Sequence, residues 1–279
     1  MSKVSVITPS FRGSEWLKLC IASVADQDVD HEHIVQDACS DDGTQDWLPQ
    51  DSRVKAYIEK DKGMYDAVNR GLQKASGDIL CYLNCDEQYL PGTLRKVCEW
   101  FEKNPAAEIL FGDAIVVGNN GEYLCDRRVL KPGRYHTMVS NNLSIFTSST
   151  FYRRSLIEKR KLLFNPDLKV IGDGEWILRL LEQGVSMGTW KGFLSVFTDT
   201  GENLSILPVA LKERAELYQA APAWAKWGKA FVLAFYRLRR LLNGAYSPQP
   251  HSYAIYTKVS PDRRQTFEVT KPTFRWIGR

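Results

Sequence analysis

The chain has 279 residues, 44% hydrophobic and 25% charged, the composition of an ordinary globular protein with room for one large domain or a domain with an appendage. Its six cysteines, Cys20, Cys39, Cys81, Cys85, Cys98 and Cys125, include no Cys-x-x-Cys pair, which argues against a zinc site or a disulfide framework and for reduced thiols. The net charge of +4 is unevenly spread: residues 208–279 carry thirteen Lys and Arg against four Asp and Glu, so a mildly acidic body bears a strongly basic tail.

No apolar stretch follows Met1, since Ser2-Lys3 leads straight into a strand pattern, and the body is expected to stay in the cytosol. Val4-Ser5-Val6-Ile7-Thr8-Pro9 is a short β-branched run stopped by a proline, and Ile34-Val35-Gln36-Asp37 is a second run ending in an aspartate. A third, Ile79-Leu80-Cys81-Tyr82-Leu83, ends in Asn84-Cys85-Asp86-Glu87. Between them Trp16, Leu17, Cys20, Ile21 and Val24, then Met64, Ala67, Val68, Gly71, Leu72 and Ala75, fall at helical spacing. This alternation predicts an α/β fold with a mostly parallel sheet, crossover helices on its faces and a crevice at the carboxyl ends of its strands. Carboxylates delivered there suggest a metal and phosphate site.

Residues 170–181 form an amphipathic helix pattern with Asp173 and Glu175 in its first turn, where carboxylates also complement the helix dipole. Gly172 and Gly174 flank Asp173 and are expected to leave space for a substrate. From Pro222 to Leu242, Trp224, Trp227, Phe231, Phe235, Leu238 and Leu242 recur at spacings of three and four among Lys226, Lys229, Arg237, Arg239 and Arg240. The segment is too charged to span a bilayer; it reads as a helix lying in a membrane interface or as one packed on the body. Residues 253–277 read as a short hairpin or extended arm.

Four motifs in this order, Thr8-Pro9-Ser10-Phe11, His33 to Thr44, Asp61 to Gly71, and Leu83-Asn84-Cys85-Asp86-Glu87, resemble the nucleotide-sugar domain of inverting family 2 glycosyltransferases with the GT-A fold, over about residues 3–200. The resemblance implies that Thr8, Pro9 and Ser10 hold the nucleotide base and ribose, and that Asp37 accepts a hydrogen bond from the base, leaving helix capping to Ser40 or Asp41. Lys62 is implied as a pyrophosphate partner, and Asp66 and Asn69, three apart on one helical face, as residues orienting the loop beneath the donor sugar. Arg70 reads as a solvated helix residue. Asn84 and Cys85 are implied to lie against ribose or phosphate and Asp86 to hold Mg²⁺ or Mn²⁺ between protein and diphosphate; Glu87 stands where the family usually has aspartate. Asp173 matches the family's general base, with Glu175 as the competing assignment. One departure is Phe146 to Arg154, where hydroxyls replace the His-Gln pair of many relatives. No histidine stands out as catalytic; His31, His33, His136 and His251 read as surface or strand-edge residues.

The expectation is a GT-A domain over residues 1–207 and a basic aromatic extension over 208–279. It would be a metal-dependent enzyme transferring a sugar from a nucleoside diphosphate to a sugar or lipid-linked sugar acceptor, in surface polysaccharide or glycolipid synthesis. The tail would rest on an anionic membrane at the cytoplasmic face, and no nucleic acid partner is expected. Two rivals are nucleotidyl transfer, disfavoured because Thr8 to Ser14 holds only Gly13 and Arg12 of a phosphate loop, and a non-catalytic membrane-bound nucleotide-sugar binder.

Overall fold

The computed structural model describes residues 2–140, 143–201 and 208–276. Its strands are β1 (Val4–Ser10), β2 (His31–Asp37), β3 (Lys55–Ile58), β4 (Ile79–Tyr82), β5 (Glu87–Tyr89), β6 (Ile109–Val117), β7 (Tyr123–Arg127), β8 (Thr150–Arg153), β9 (Met187–Thr198), β10 (His251–Thr257) and β11 (Ser260–Val269). The helices are α1 (Ser14–Ala25), α2 (Thr44–Trp47), α3 (Met64–Lys74), α4 (Thr93–Lys103), α5 (Arg134–Val139), α6 (Ser155–Glu158), α7 (Gly172–Glu182), α8 (Pro208–Gln219), α9 (Ala223–Trp227) and α10 (Lys229–Leu242).

The first nine strands form one mixed sheet in the order β3-β2-β1-β4-β8-β6-β9-β5, with β7 added to β6. The parallel half is β3 through β4, of which the sequence runs predict β1, β2 and β4 but not β3; β8 then inserts antiparallel between β4 and β6. Strand β1 does not stop at its proline: Pro9 and Ser10 stay in register with Gln36 and Asp37.

Residues of β1 alternate between two cores, so helices must cover both faces. Val4 and Val6 pack with Cys20 and Val24 of α1 and Val97 and Phe101 of α4. Ile7 packs with Val68 and Leu72 of α3 and Trp176 and Leu180 of α7. Gly71 lets α3 lie this close, because a Cβ there would come 2.4 Å from Ile7 Cγ2.

The basic extension packs on this body at several places, among them α5, where Ala221 and Ala225 meet Met138 and Val139. Hairpin β10–β11 pairs Tyr253 with Phe267 and Ala254 with Thr266, and Arg264 clasps Asp26, just past the end of α1, at 2.6 and 2.7 Å. Glu213 of α8 is buried and accepts the N–H groups of Lys169, Val170 and Ile171, fixing the approach to α7. The expected division at residue 207 falls outside the described residues.

One buried carboxylate clamps the parallel half. Glu32 on β2 accepts hydrogen bonds from Lys55 Nζ on β3, Ser5 Oγ on β1, and the N–H and Oγ of Ser76 before β4. Burial works to raise its pKa, but these donors outweigh it and hold the pKa at about 2. The depressed value means the clamp stabilises the fold above the ordinary glutamate pKa and is lost as pH falls through about 2. Urea unfolding should therefore find Glu32→Gln less stable by on the order of 2–3 kcal/mol at pH 7, the gap from wild type narrowing between about pH 4.5 and pH 2.

Candidate active site

The carboxyl ends of the parallel strands and the first turn of α7 open onto one cleft of about 1740 Å³. After β1 the chain turns through Arg12, held at a left-handed φ of 53°, and Arg12 pairs with Asp41 at 2.6 Å at the cleft mouth. After β4, Asn84, Cys85 and Asp86 form the cleft wall before Glu87 enters β5. Glu87 is buried and accepts the Asn84 N–H at 2.9 Å, which closes this turn. Burial raises the pKa of Asp86 and Glu87 alike, and the charge of Asp86 raises that of Glu87 further. Two polar atoms on the wall, Ser10 Oγ and Asn84 Oδ1, are buried with no hydrogen-bond partner. Such atoms cost stability unless a ligand satisfies them.

Asp173 lines the same cleft. Its carboxylate accepts the Tyr65 hydroxyl at 2.5 Å and the Tyr82 hydroxyl at 3.2 Å, while its N–H donates to Tyr65 Oη at 3.2 Å. Burial raises the Asp173 pKa and the two tyrosine donors oppose that rise. Gly172 does not make room for a substrate, as the sequence suggested: a Cβ there would sit 2.5 Å from the Tyr65 ring, so the tyrosine fills the space. The competing base, Glu175, points to Arg179 at 2.7 Å and does not line the cleft.

Of the residues singled out in the sequence, Pro9, Ser10, Lys62, Asn84, Cys85, Asp86 and Asp173 share the cleft. Four do not reach it. Thr8 is buried and bonds His33 Nε2 at 2.8 Å, and His33 is no surface residue: burial lowers its pKa to about 3. Both oxygens of Asp37 accept from Ser40, one from the N–H and one from Oγ, so the aspartate holds the turn. Neither Ser40 nor Asp41 caps α2; Asp42 accepts the Thr44 N–H instead. Asp66 holds the Lys62 N–H and pairs with Arg70, which also reaches Glu59. Asn69 is buried and clamps the backbone of Phe164 through both ends of its amide. Asp66 and Asn69 thus shape the cleft through backbone and stand outside it.

Chemically, the cleft offers Asp86 and the Asn84 carbonyl as hard oxygen donors beside orphaned polar atoms, which suits a divalent cation shared with a ligand's phosphates. Among the described residues no group of three or more His, Cys, Asp or Glu forms a closed cage. Cys85 is partly buried and its surroundings raise the thiol pKa, so it is not an ionised nucleophile on the wall.

Residues 5–161 match the sequence profile described as Glycosyl transferase family 2. The chain belongs to this family. It is 36% identical over 110 residues to a teichuronic acid biosynthesis glycosyltransferase, TuaG, of Bacillus subtilis, covering 37% of this chain and 44% of that protein. It is 29% identical over 163 residues to a PGL/p-HBAD biosynthesis glycosyltransferase of Mycobacterium tuberculosis, covering 54% of this chain and 59% of that protein. A GalNAc(5)-diNAcBac-PP-undecaprenol beta-1,3-glucosyltransferase of Campylobacter jejuni is 32% identical over 123 residues, 42% of this chain and 39% of that protein. The chain thus spans about half the length of the curated relatives it matches.

Solved structures share the fold. S. aureus TarS 1–349 in complex with UDP-GlcNAc aligns over 88% of this chain and 76% of its own, with a TM-score of 0.59 at 17% identity. The Pyrobaculum calidifontis mannosyltransferase PcManGT, in complex with GDP-Man and Mn²⁺, aligns over 88% and 79%, with a TM-score of 0.58 at 18% identity.

In this family 2 chain the residues that sequence reasoning missed are Tyr65 and Tyr82, read there only as parts of a helix and an apolar strand. A buried tyrosine hydroxyl needs a partner, and that requirement was the available signal. Removing one donor leaves burial less opposed, so the Asp173 carboxyl should titrate at higher pH in Tyr65→Phe than in wild type. Carbon-detected NMR of the aspartate carboxyls reads this; an unmoved midpoint would mean the hydroxyl does not tune Asp173.

Proposed function

We propose that this chain is an inverting, metal-dependent glycosyltransferase that moves a sugar from a nucleoside diphosphate to an acceptor hydroxyl. The observation that carries the reading is the pairing, in one cleft, of Asp86 beside two orphaned polar atoms with Asp173 held by two tyrosine hydroxyls. Pro9 and Ser10 would receive the nucleoside, and Lys62 a phosphate oxygen. A divalent cation, Mg²⁺ or Mn²⁺, held by Asp86 with Asn84 would neutralise the diphosphate as it departs.

The acceptor oxygen attacks the anomeric carbon as the bond from that carbon to the phosphate oxygen breaks, and the hydroxyl proton passes to the Asp173 carboxylate. A raised pKa makes Asp173 a better base while the tyrosines keep it ionised and aimed. One displacement inverts the anomeric centre and needs no protein nucleophile.

The acceptor is proposed to be a sugar on a lipid carrier, in surface polysaccharide or glycolipid synthesis; relatives named for teichuronic acid, PGL/p-HBAD and undecaprenol-linked products support that class. Residues 1–207 would form the catalytic domain and 208–279 a membrane-peripheral extension at the cytoplasmic face. Helix α10 has no buried residue, and its Phe231 and Leu242 are 75% and 79% exposed, as is Trp227 at the end of α9 at 91%, so this apolar stripe faces away from the body. No described helix is long and apolar enough to cross a membrane. A stripe of aromatic and aliphatic residues flanked by Lys226, Lys229 and Arg237 suits an anionic bilayer surface, where each cation contributes about 1 kcal/mol.

Asp86→Ala should abolish Mn²⁺-dependent UDP binding in calorimetry with the fold intact. Asp173→Asn should leave that binding nearly unchanged while turnover falls by roughly 10²-fold or more. Near-normal turnover in Asp173→Asn would remove it as the base.

In co-sedimentation with phosphatidylglycerol vesicles, wild type should bind, with binding weakened by salt but not abolished. The double variant Trp227→Ser, Phe231→Ser should stay in the supernatant. Equal sedimentation of both would contradict membrane docking through the stripe shared by α9 and α10.

A further inference from the structure

The donor reading occupies only one side of the cleft. In the sheet, β1 with Pro9 and Ser10 lies on one side of β4, and β9 with Phe197 and β7 with Arg127 lie on the other. Phe197 stands opposite Glu87, the residue after Asp86, so this second wall begins beside the proposed cation site. Phe146 meets Phe197 edge to face with centroids 5.3 Å apart, and Phe197 meets Trp276 in the same way at 5.7 Å. All three rings and Arg127 line the cleft that holds Asp173.

Trp276 is brought there by an arm that follows β11. The Tyr123 hydroxyl lies 3.0 Å from the Thr273 carbonyl and accepts the Thr273 N–H at 2.9 Å, and the Asp126 N–H donates to the same carbonyl at 2.8 Å. Three residues further on, the Trp276 indole N–H donates to Asp199, just past β9, at 2.8 Å. The arm is thus tied to β7 and to the end of β9, which fixes the tryptophan against the cleft. Phe197 and Trp276 both fall outside residues 5–161, so the family profile does not supply this wall.

Arg127, the last residue of β7, lies against two of these rings, 5.5 Å from the centroid of Phe146 and 5.8 Å from that of Trp276. Its neighbour Arg128 answers Asp113 at 2.7 Å, whereas Arg127 forms no ion pair among the described residues. Burial lowers its pKa, as expected of a charge partly stripped of water. Such a charge is costly with no anion beside it, and aromatic faces offset only part of the cost. A carboxylate brought to the guanidinium fork would offset the rest. Charge and aromatic surface meet at one place here, so the matching occupant bears its anion directly on a body with an apolar face. A pyranose with a carboxylate on its ring has that form, because its C–H groups make the apolar face.

We propose that the acceptor sugar binds against Phe146, Phe197 and Trp276, and that it is an acidic sugar whose carboxylate Arg127 holds. The inference deepens the glycosyltransferase reading and rests on it for placing the donor on the β1 side. Arg127 and Trp276 are binding residues that bring the acceptor hydroxyl toward Asp173, and they take no proton.

The test is a saturation-transfer NMR titration of the full chain, with UDP and Mg²⁺ present to fill the donor side. The probes are two pairs of methyl glycosides, glucuronide with glucoside and galacturonide with galactoside. In at least one pair the acid should bind wild type about tenfold or more tightly than its neutral counterpart. Arg127→Gln should remove that preference by weakening the acid alone, and Arg127→Lys, which keeps the charge and loses the fork, should retain part of it. Trp276→Ala should weaken acid and neutral sugar by a similar factor, and Trp276→Phe should recover part of the loss. The conservative variants keep the reading should the larger changes perturb folding.

Equal or undetectable binding of acid and neutral sugars by wild type would overturn the proposal, as would a preference that persists in both Arg127 variants. A fall in UDP affinity in Arg127→Gln would also overturn it, because the arginine would then serve the donor. UDP binding to wild type is measured separately: its absence would defeat the donor reading, while the sugar pairs titrated without UDP still read the role of Arg127.

Discussion

The hydroxyl of Tyr65 is the tie on which the cleft depends. It donates to Asp173 at 2.5 Å, accepts the Asp173 N–H, and lies 2.9 Å from the Val170 carbonyl, joining α3 to the start of α7 across more than a hundred residues of sequence. The ring can reach that point only because residue 172 is glycine. Phe164 stacks on the same ring at 5.6 Å, and its backbone is held by Asn69, one turn further along α3. A single helix therefore orients the proposed base through its tyrosine and secures the approaching chain through its asparagine. The strand ends supply the other wall, and the chemistry lies between the two.

The parallel half was legible because its physics is local. Apolar runs at 4–8, 34–35 and 79–83, each stopped by polar residues, announce buried strands, and a carboxylate straight after such a run must surface at the sheet's carboxyl edge. That places Asp86 without any knowledge of its neighbours. The antiparallel insertion of β8 between β4 and β6 was not legible, because it depends on pairing Cys81 with Phe151 and Leu110 with Phe151, contacts that no local pattern encodes.

The side-chain roles divide in the same way. Spacing tells which helical face Asp66 and Asn69 share, but not that Asn69 meets the backbone of Phe164, 95 residues on. Asp37 and Thr8 were placed on the right strands, and the structure adds what spacing could not, that Ser40 donates to both oxygens of Asp37 and that Thr8 bonds His33. For α10, periodicity revealed an apolar face; only the fold tells that this face is left uncovered while Tyr236, on the other side, stacks on His136.

The central claim is that Asp86 and Asp173 serve two ends of one transfer, cation and diphosphate on one side, acceptor proton on the other. The most direct measurement is anomalous diffraction at the manganese edge from crystals grown with UDP and Mn²⁺. The account predicts one strong peak within coordination distance of the Asp86 carboxylate, UDP along Pro9 and Ser10, and Asp173 free of metal. A manganese ion bound between Asp173 and the tyrosines, or UDP lying outside this cleft, would contradict it.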